Sequence, residues 1–134
     1  MHHLPDPDRA KPCILVVDDD AAIAVAIAAR LGADFRVAGL ADPTQAVQRA
    51  RSEGADVILC DIDMPGMPGD DVAFALSQDP GTAGIPLLYL TGLVSPDDAP
   101  DFEGVFGEHR TLSKGASTAE LREAVNDALG LPRD

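Results

Sequence analysis

Asp18, Asp19, Asp61, Thr91 and Lys114 are the side chains whose types and spacing could do chemistry together. Two carboxylates follow the apolar run Cys-Ile-Leu-Val-Val, and a third follows Val-Ile-Leu-Cys. The hydroxyl and the ammonium each come after a later strand-like segment. Taken singly, an Asp after an apolar run caps a turn. Three carboxylates gathered at neighbouring strand ends repel one another: at an effective dielectric near 20, a pair about 4 Å apart costs about 4 kcal/mol. No fold requires that cost, so either some of the carboxyls stay protonated or a hard cation sits among them. Mg2+ fits best, because it takes oxygen ligands and keeps several waters, with carboxylates and phosphate oxygens in the other positions. Zinc is disfavoured, since no Cys or His cluster accompanies the acids. A divalent ion, a hydroxyl and an ammonium around one carboxylate make a device for phosphoryl transfer. Asp61 is then the nucleophile, Thr91 and Lys114 hold the transferred group, and Asp63 is the nearest base-like side chain.

The elements that must position these groups read as alternating strands and helices. Val57–Cys60, apolar throughout, predicts a strand buried on both faces in the middle of a parallel sheet, with Pro65-Gly66 and Pro68-Gly69 opening a loop beyond it. Cys13–Val17 predicts another buried strand. The helix after it carries Ile23, Ile27 and Leu31 on one stripe, starts at the N-cap Asp20 and stops at Gly32. Phe35–Leu40 reads as a strand, and Asp42-Pro43 opens a helix that ends at Gly54. A third helix runs from Asp70 to about Gln78, and a fourth strand from Ile85 to Leu90. An acidic stretch broken by Pro96 and Pro100 follows, then a weak strand His109–Leu112. Ser117 and Glu120 form a capping box for the last helix, which stops near Gly130.

This alternation predicts a single α/β domain, a flavodoxin-like (βα)5 doubly wound parallel sheet with strand order 2-1-3-4-5. That order puts the first and third strands side by side and all the reactive side chains along one edge. The domain is expected over residues 12–131, with a polar arm at 1–11 and a short tail at 132–134. His2 and His3 read as part of a frayed start rather than as metal ligands.

With 134 residues the chain is one domain large enough for a core without staples. One Tyr, four Phe and no Trp make that core aliphatic. A net charge of −13 argues against direct contact with nucleic acid or an anionic membrane. Cys13 and Cys60 are offset by about four residues, roughly 13 Å, on adjacent strands, so no disulfide is expected. No run reaches the roughly 18 apolar residues of a membrane span and no signal-peptide core is present, so a cytoplasmic protein is expected.

With these residues in this order, the sequence resembles the receiver domain of two-component response regulators. The resemblance covers about Pro12 to Leu131. It rests on Val16-Val17-Asp18-Asp19, on Asp61 with Met64-Pro65-Gly66 and Gly69, on Leu90-Thr91-Gly92, and on Lys114. It implies that Asp61 is the phosphoacceptor, Asp19 a direct Mg2+ ligand and Asp18 an acid reaching the ion through water. The backbone carbonyl of Asp63 is then a further ligand, Thr91 the switch hydroxyl and Lys114 the phosphate-pairing lysine. The donor is a sensor histidine kinase or a histidine phosphotransfer protein, and the output, if the chain is complete, is contact with a downstream protein. The family usually has a cis proline after the lysine and Tyr or Phe three residues before it; here these are Gly115 and Thr111. A trans, more mobile loop and a muted or differently wired activation step are therefore expected.

The function expected is a phosphorylation switch rather than a multiple-turnover enzyme. One rival is a pseudo-receiver that binds without being phosphorylated. Another is a haloacid-dehalogenase-type phosphatase, suggested by Asp61-Ile62-Asp63 after an apolar strand. A nucleotide or flavin binder is disfavoured by the lack of a Gly-rich loop after the first strand.

Overall fold

The computed structural model describes residues 11–62, 64, 66–92 and 109–130, and the backbone of 105–106. The expected arm at 1–11 (all but its last residue), the acidic stretch after Thr91-Gly92, Asp63 and the tail at 132–134 lie outside the described residues. Five strands alternate with helices: β1 (Cys13–Val17), α1 (Ala21–Leu31), β2 (Arg36–Leu40), α2 (Ala46–Glu53), β3 (Val57–Asp61), α3 (Gly69–Gln78) and β4 (Leu87–Thr91) come first. A two-residue strand β5 (Val105–Phe106), then β6 (His109–Ser113) and α4 (Thr118–Leu129), follow among the described residues. The sheet order is β2-β1-β3-β4-β6-β5. The first five of these are parallel, as the 2-1-3-4-5 order requires, while β5 pairs antiparallel with β6.

The apolar runs become strands because both faces of the sheet are covered. Ile14, Val16, Leu59 and Leu90 point to one side and pack under α1 and α4 against Ile27, Leu31, Leu121 and Val125. Leu15, Val17, Ile58, Cys60 and Tyr89 alternate to the other side, against Ala46 and Ala50 of α2 and Val72 and Leu76 of α3. Each fully buried Leu, Ile or Val contributes about 1.5–3 kcal/mol, so β1 and β3, buried at every position, anchor the domain. Both cysteines are free and buried. Val17 stands opposite Cys60, which leaves Cys13 four residues away, as the sequence indicates.

Helix starts follow their caps. The Asp20 carboxylate accepts from the Ala22 N–H, and Ser117 and Glu120 make both bonds of the capping box. Asp42 caps a 3-10 turn (Pro43–Gln45) that runs into α2, which ends on Gly54 in the left-handed region at φ 65°. β4 begins at Leu87 rather than Ile85 because Pro86 has no N–H to offer the ladder.

β2 lies at one end of the sheet. Arg49 donates to the Gly39 carbonyl at 3.1 Å, and Arg36 pairs with Glu53 at 2.9 Å. Among the described residues no helix is long and apolar enough to cross a membrane.

Candidate functional site

The strand register brings the reactive side chains level. Val17 opposite Cys60 sets Asp18 beside Asp61, and Thr91 stands opposite Ser113, one residue before Lys114. The ladders run on past the strands at this edge. The Asp18 N–H donates to the Leu40 carbonyl at 3.0 Å and the Lys114 N–H to the Thr91 carbonyl at 2.8 Å.

Asp18 and Asp61 are buried, at 2% and 3% exposure, while Asp19 faces solvent. One carboxylate oxygen from each of the three lies within 4.8 Å of the other two. The Lys114 ammonium stands 2.9 Å from Asp18 Oδ2 and 3.3 Å from Asp61 Oδ2. Burial alone would lower the lysine's pKa, but the hydrogen bonds and charges of Asp18 and Asp61 outweigh it and hold the pKa above its ordinary value. Asp18 Oδ1 accepts from the Asp20 N–H at 2.9 Å. Asp18 Oδ2 accepts from the Lys114 ammonium. Three carboxylates converging from two strand ends, two of them buried and Asp19 facing solvent, form an oxygen donor set that could hold a hard divalent cation.

The floor of the site depends on one glycine. A Cβ on Gly69 would lie 2.6 Å from the Asp61 carbonyl oxygen, 2.9 Å from Ile62 Cα and 3.2 Å from the Tyr89 ring. Only hydrogen fits there, and the Gly69 N–H donates to the Ile62 carbonyl at 2.8 Å. Gly66, with φ at 84°, supplies the left-handed residue that turns the loop back.

Asp18, Asp19, Asp61 and Lys114 are thus brought together, and Thr91 ends β4 at the same edge. Asp63 and Leu93, named from the sequence as neighbours of the phosphoacceptor and switch positions, lie outside the described residues. No cis peptide occurs among the described residues, so the Lys114–Gly115 bond is trans as expected. The turn after it is nonetheless hydrogen-bonded, with the Ser113 hydroxyl accepting from the Gly115 N–H at 2.9 Å. Sequence reasoning passed over Ser113, although a hydroxyl two residues before a glycine is a turn-capping signal. It also passed over the ring contact at the Thr111 level: Tyr89, which pairs with Thr111 across β4 and β6, meets His109 edge-on at 5.4 Å.

A doubly wound sheet that presents carboxylates from two adjacent strands and a lysine from a third, all at its carboxyl edge, defines a receiver-type α/β protein. The family described as the response regulator receiver domain matches residues 14–126, and the chain belongs to it. The chain is 40% identical over 85 residues to the DNA-binding response regulator MtrA of Mycobacterium tuberculosis, covering 63% of this chain and 36% of MtrA. It is 40% identical over 81 residues to the response regulator PleD of Caulobacter vibrioides, covering 60% of this chain and 18% of PleD. It therefore spans about a third or less of the length of these relatives. The chemotaxis protein CheY4 of Vibrio cholerae superposes with a TM-score of 0.74 at 28% identity, covering 90% of this chain and 100% of that one. The receiver domain of the sensor histidine kinase PA1611 from Pseudomonas aeruginosa, which holds a magnesium ion in its active-site cleft, superposes with a TM-score of 0.72 at 26% identity. That match covers 90% of this chain and 99% of the other. Family membership sets aside the haloacid-dehalogenase reading: the Asp-x-Asp here follows the third strand of a receiver fold.

Proposed function

We propose that Asp61 accepts a phosphoryl group from a phosphohistidine on a sensor histidine kinase or a histidine phosphotransfer protein. The aspartyl phosphate then switches the contacts of the domain with a downstream protein. The observation that carries this reading is the Asp61 carboxylate, buried beside Asp18 with the Lys114 ammonium 3.3 Å away.

Asp18, Asp19, Asp61 and the backbone carbonyl of Asp63 are the groups that would hold Mg2+. When bound, the ion offsets the charge of the carboxylates and of the transferring phosphoryl group. The chain's own residues do the rest. A carboxylate oxygen of Asp61 attacks phosphorus while the bond from phosphorus to the donor's imidazole nitrogen breaks, and the nitrogen keeps the electron pair. The Lys114 ammonium then pairs with a phosphate oxygen, and the Thr91 hydroxyl donates to another. That contact exists only in the phosphorylated state, so it shifts a two-state equilibrium. Burial of Asp61 limits the access of the water that later hydrolyses the acyl phosphate. The protein is in this reading a switch and not a multiple-turnover enzyme.

The receiver domain occupies residues 12–131, with 1–11 as an arm and 132–134 as a tail, in the cytoplasm. Its acidic surface makes no contact with membrane or nucleic acid; a DNA-binding output, as the name of MtrA indicates for that protein, would belong to other sequence. The test is intact-mass spectrometry after incubation with acetyl phosphate and Mg2+. One added phosphoryl group (about 80 Da) is expected, absent in Asp61→Asn. Addition that persists in Asp61→Asn overturns the assignment, and Mg2+ binding with no addition to the wild type favours the pseudo-receiver.

A further inference from the structure

Lys114 reaches the carboxylates from the turn between β6 and α4, where its backbone N–H donates to the Thr91 carbonyl at 2.8 Å. Its stem borders a cavity of about 40 Å3 that is also lined by Ile23, Ile27, Leu90, Ser113 and Leu121. The next residue is an exposed glycine with no ring to restrict it. A four-carbon stem on such a turn would swing into solvent if the turn opened.

Beyond that ladder bond, three hydrogen bonds close the turn. The Ser113 hydroxyl accepts from the Gly115 N–H at 2.9 Å, and the Ser113 carbonyl accepts from the Ala116 N–H at 3.0 Å. Across a separation of 86 residues, Arg30 in the last turn of α1 donates from Nη1 to the Ala116 carbonyl at 3.1 Å. Arg30 borders the same cavity. The helix capped by Asp20, beside the acidic pair, is thereby fastened at its other end to the turn that carries the lysine.

We propose that Ser113 and Arg30 are positioning residues, which hold the Lys114 ammonium on Asp18 and Asp61 by bracing the turn from both sides. The kinetic part of this proposal rests on the phosphoacceptor reading; the positional part does not. Among the described residues the Ser113 hydroxyl and the Arg30 guanidinium make no hydrogen bond or ion pair to a carboxylate of the cluster, so they act through the turn that carries the lysine.

Lys11 and Lys114 are the only lysines in the sequence, so lysine labelled at Cε gives two NMR signals, and Lys114→Met assigns them. In the full chain the Lys114 signal is expected to show restricted motion in the wild type and in Ser113→Thr. In Ser113→Ala combined with Arg30→Gln it becomes mobile while Lys11 is unchanged. The same double variant slows labelling by acetyl phosphate by about tenfold. In a Lys114→Met background, the two substitutions have no further effect on that rate.

A Lys114 signal as restricted in the double variant as in the wild type overturns the proposal. So does a rate loss of equal size with and without Lys114, since that marks a merely structural role. If Ser113→Ala with Arg30→Gln does not fold, Ser113→Ala alone is read in the same way. If the wild type takes up no phosphoryl group, the phosphoacceptor reading fails, and the lysine signal by itself decides whether the brace exists.

Discussion

The ammonium of Lys114 lies closer to Asp18 than to Asp61, 2.9 Å against 3.3 Å. Among the described residues it is the cation paired with both buried carboxylates, and a divalent ion entering the cluster would share that task. Lys114→Met should therefore lower stability without divalent ions by about 1–3 kcal/mol. Mg2+ at a hundredfold excess over its dissociation constant contributes about 2.7 kcal/mol to a protein that binds it only when folded. Urea unfolding with and without Mg2+ checks this: the loss in Lys114→Met should shrink when Mg2+ is present. An undiminished loss would place the lysine's contribution outside the carboxylate cluster.

Among the described residues, three carboxylates converge while one ammonium, that of Lys114, pairs with two of them, Asp18 and Asp61, and the like charges repel. Asp61→Asn removes one negative charge and keeps the shape. It is expected to stabilise the metal-free domain by about 1 kcal/mol, the gain often seen when a functional strain is relieved. Thermal or urea denaturation in chelator would show the rise, and a lower midpoint would count against the repulsion.

Gly69→Ala places a methyl group 2.6 Å from the Asp61 carbonyl oxygen and 2.9 Å from Ile62 Cα, both backbone atoms that cannot swing aside. Overpacking of this kind costs about 1–3 kcal/mol. Because the displaced atoms belong to Asp61 and its neighbour, labelling by acetyl phosphate should fall more than stability does. Unchanged labelling in a destabilised Gly69→Ala would show that the site tolerates movement of its floor.

Burial, and then the charges of Asp61 and Asp18, push the Cys60 thiol up to about 12. A free thiol titrates near 8.5. The folded protein thus keeps a proton that the unfolded chain releases in between. Stability from this source is level below about pH 8.5 and is lost as the pH rises toward the folded value. Tyr89, also pushed up to about 12, adds to the decline above about pH 10. Urea midpoints measured across this window should fall less steeply in Cys60→Ala. Parallel profiles for the two proteins would remove Cys60 from the account.

Much of this was legible in the sequence, for local reasons. Cys13–Val17 and Val57–Cys60 are apolar at every position and too short for a helix, the pattern of a strand covered on both sides, and the acids stand immediately after them. Asp20, Asp42 and Ser117 announce helix starts through side-chain oxygens that act within three residues. What escaped notice depends on residues far apart in the chain. Lys114 leans toward Asp18 because β6 and β1 deliver their ends to the same hollow, a distance no spacing along the chain encodes. The hydrogen bond from Arg30 to Ala116 joins positions 86 apart. Arg30 reads locally as a basic residue in the last turn of a helix, and nothing nearby indicates its acceptor. The two-residue β5 is too short to leave a periodic trace.

β2 closes one side of the sheet, and there the Gly39 carbonyl is already taken by the Arg49 guanidinium. A strand from a neighbouring molecule that tried to lengthen the sheet on this flank would first have to dislodge a cation from its acceptor. Self-association by edge-to-edge addition of strands is thus disfavoured at β2 by Arg49, which has no part in the chemistry.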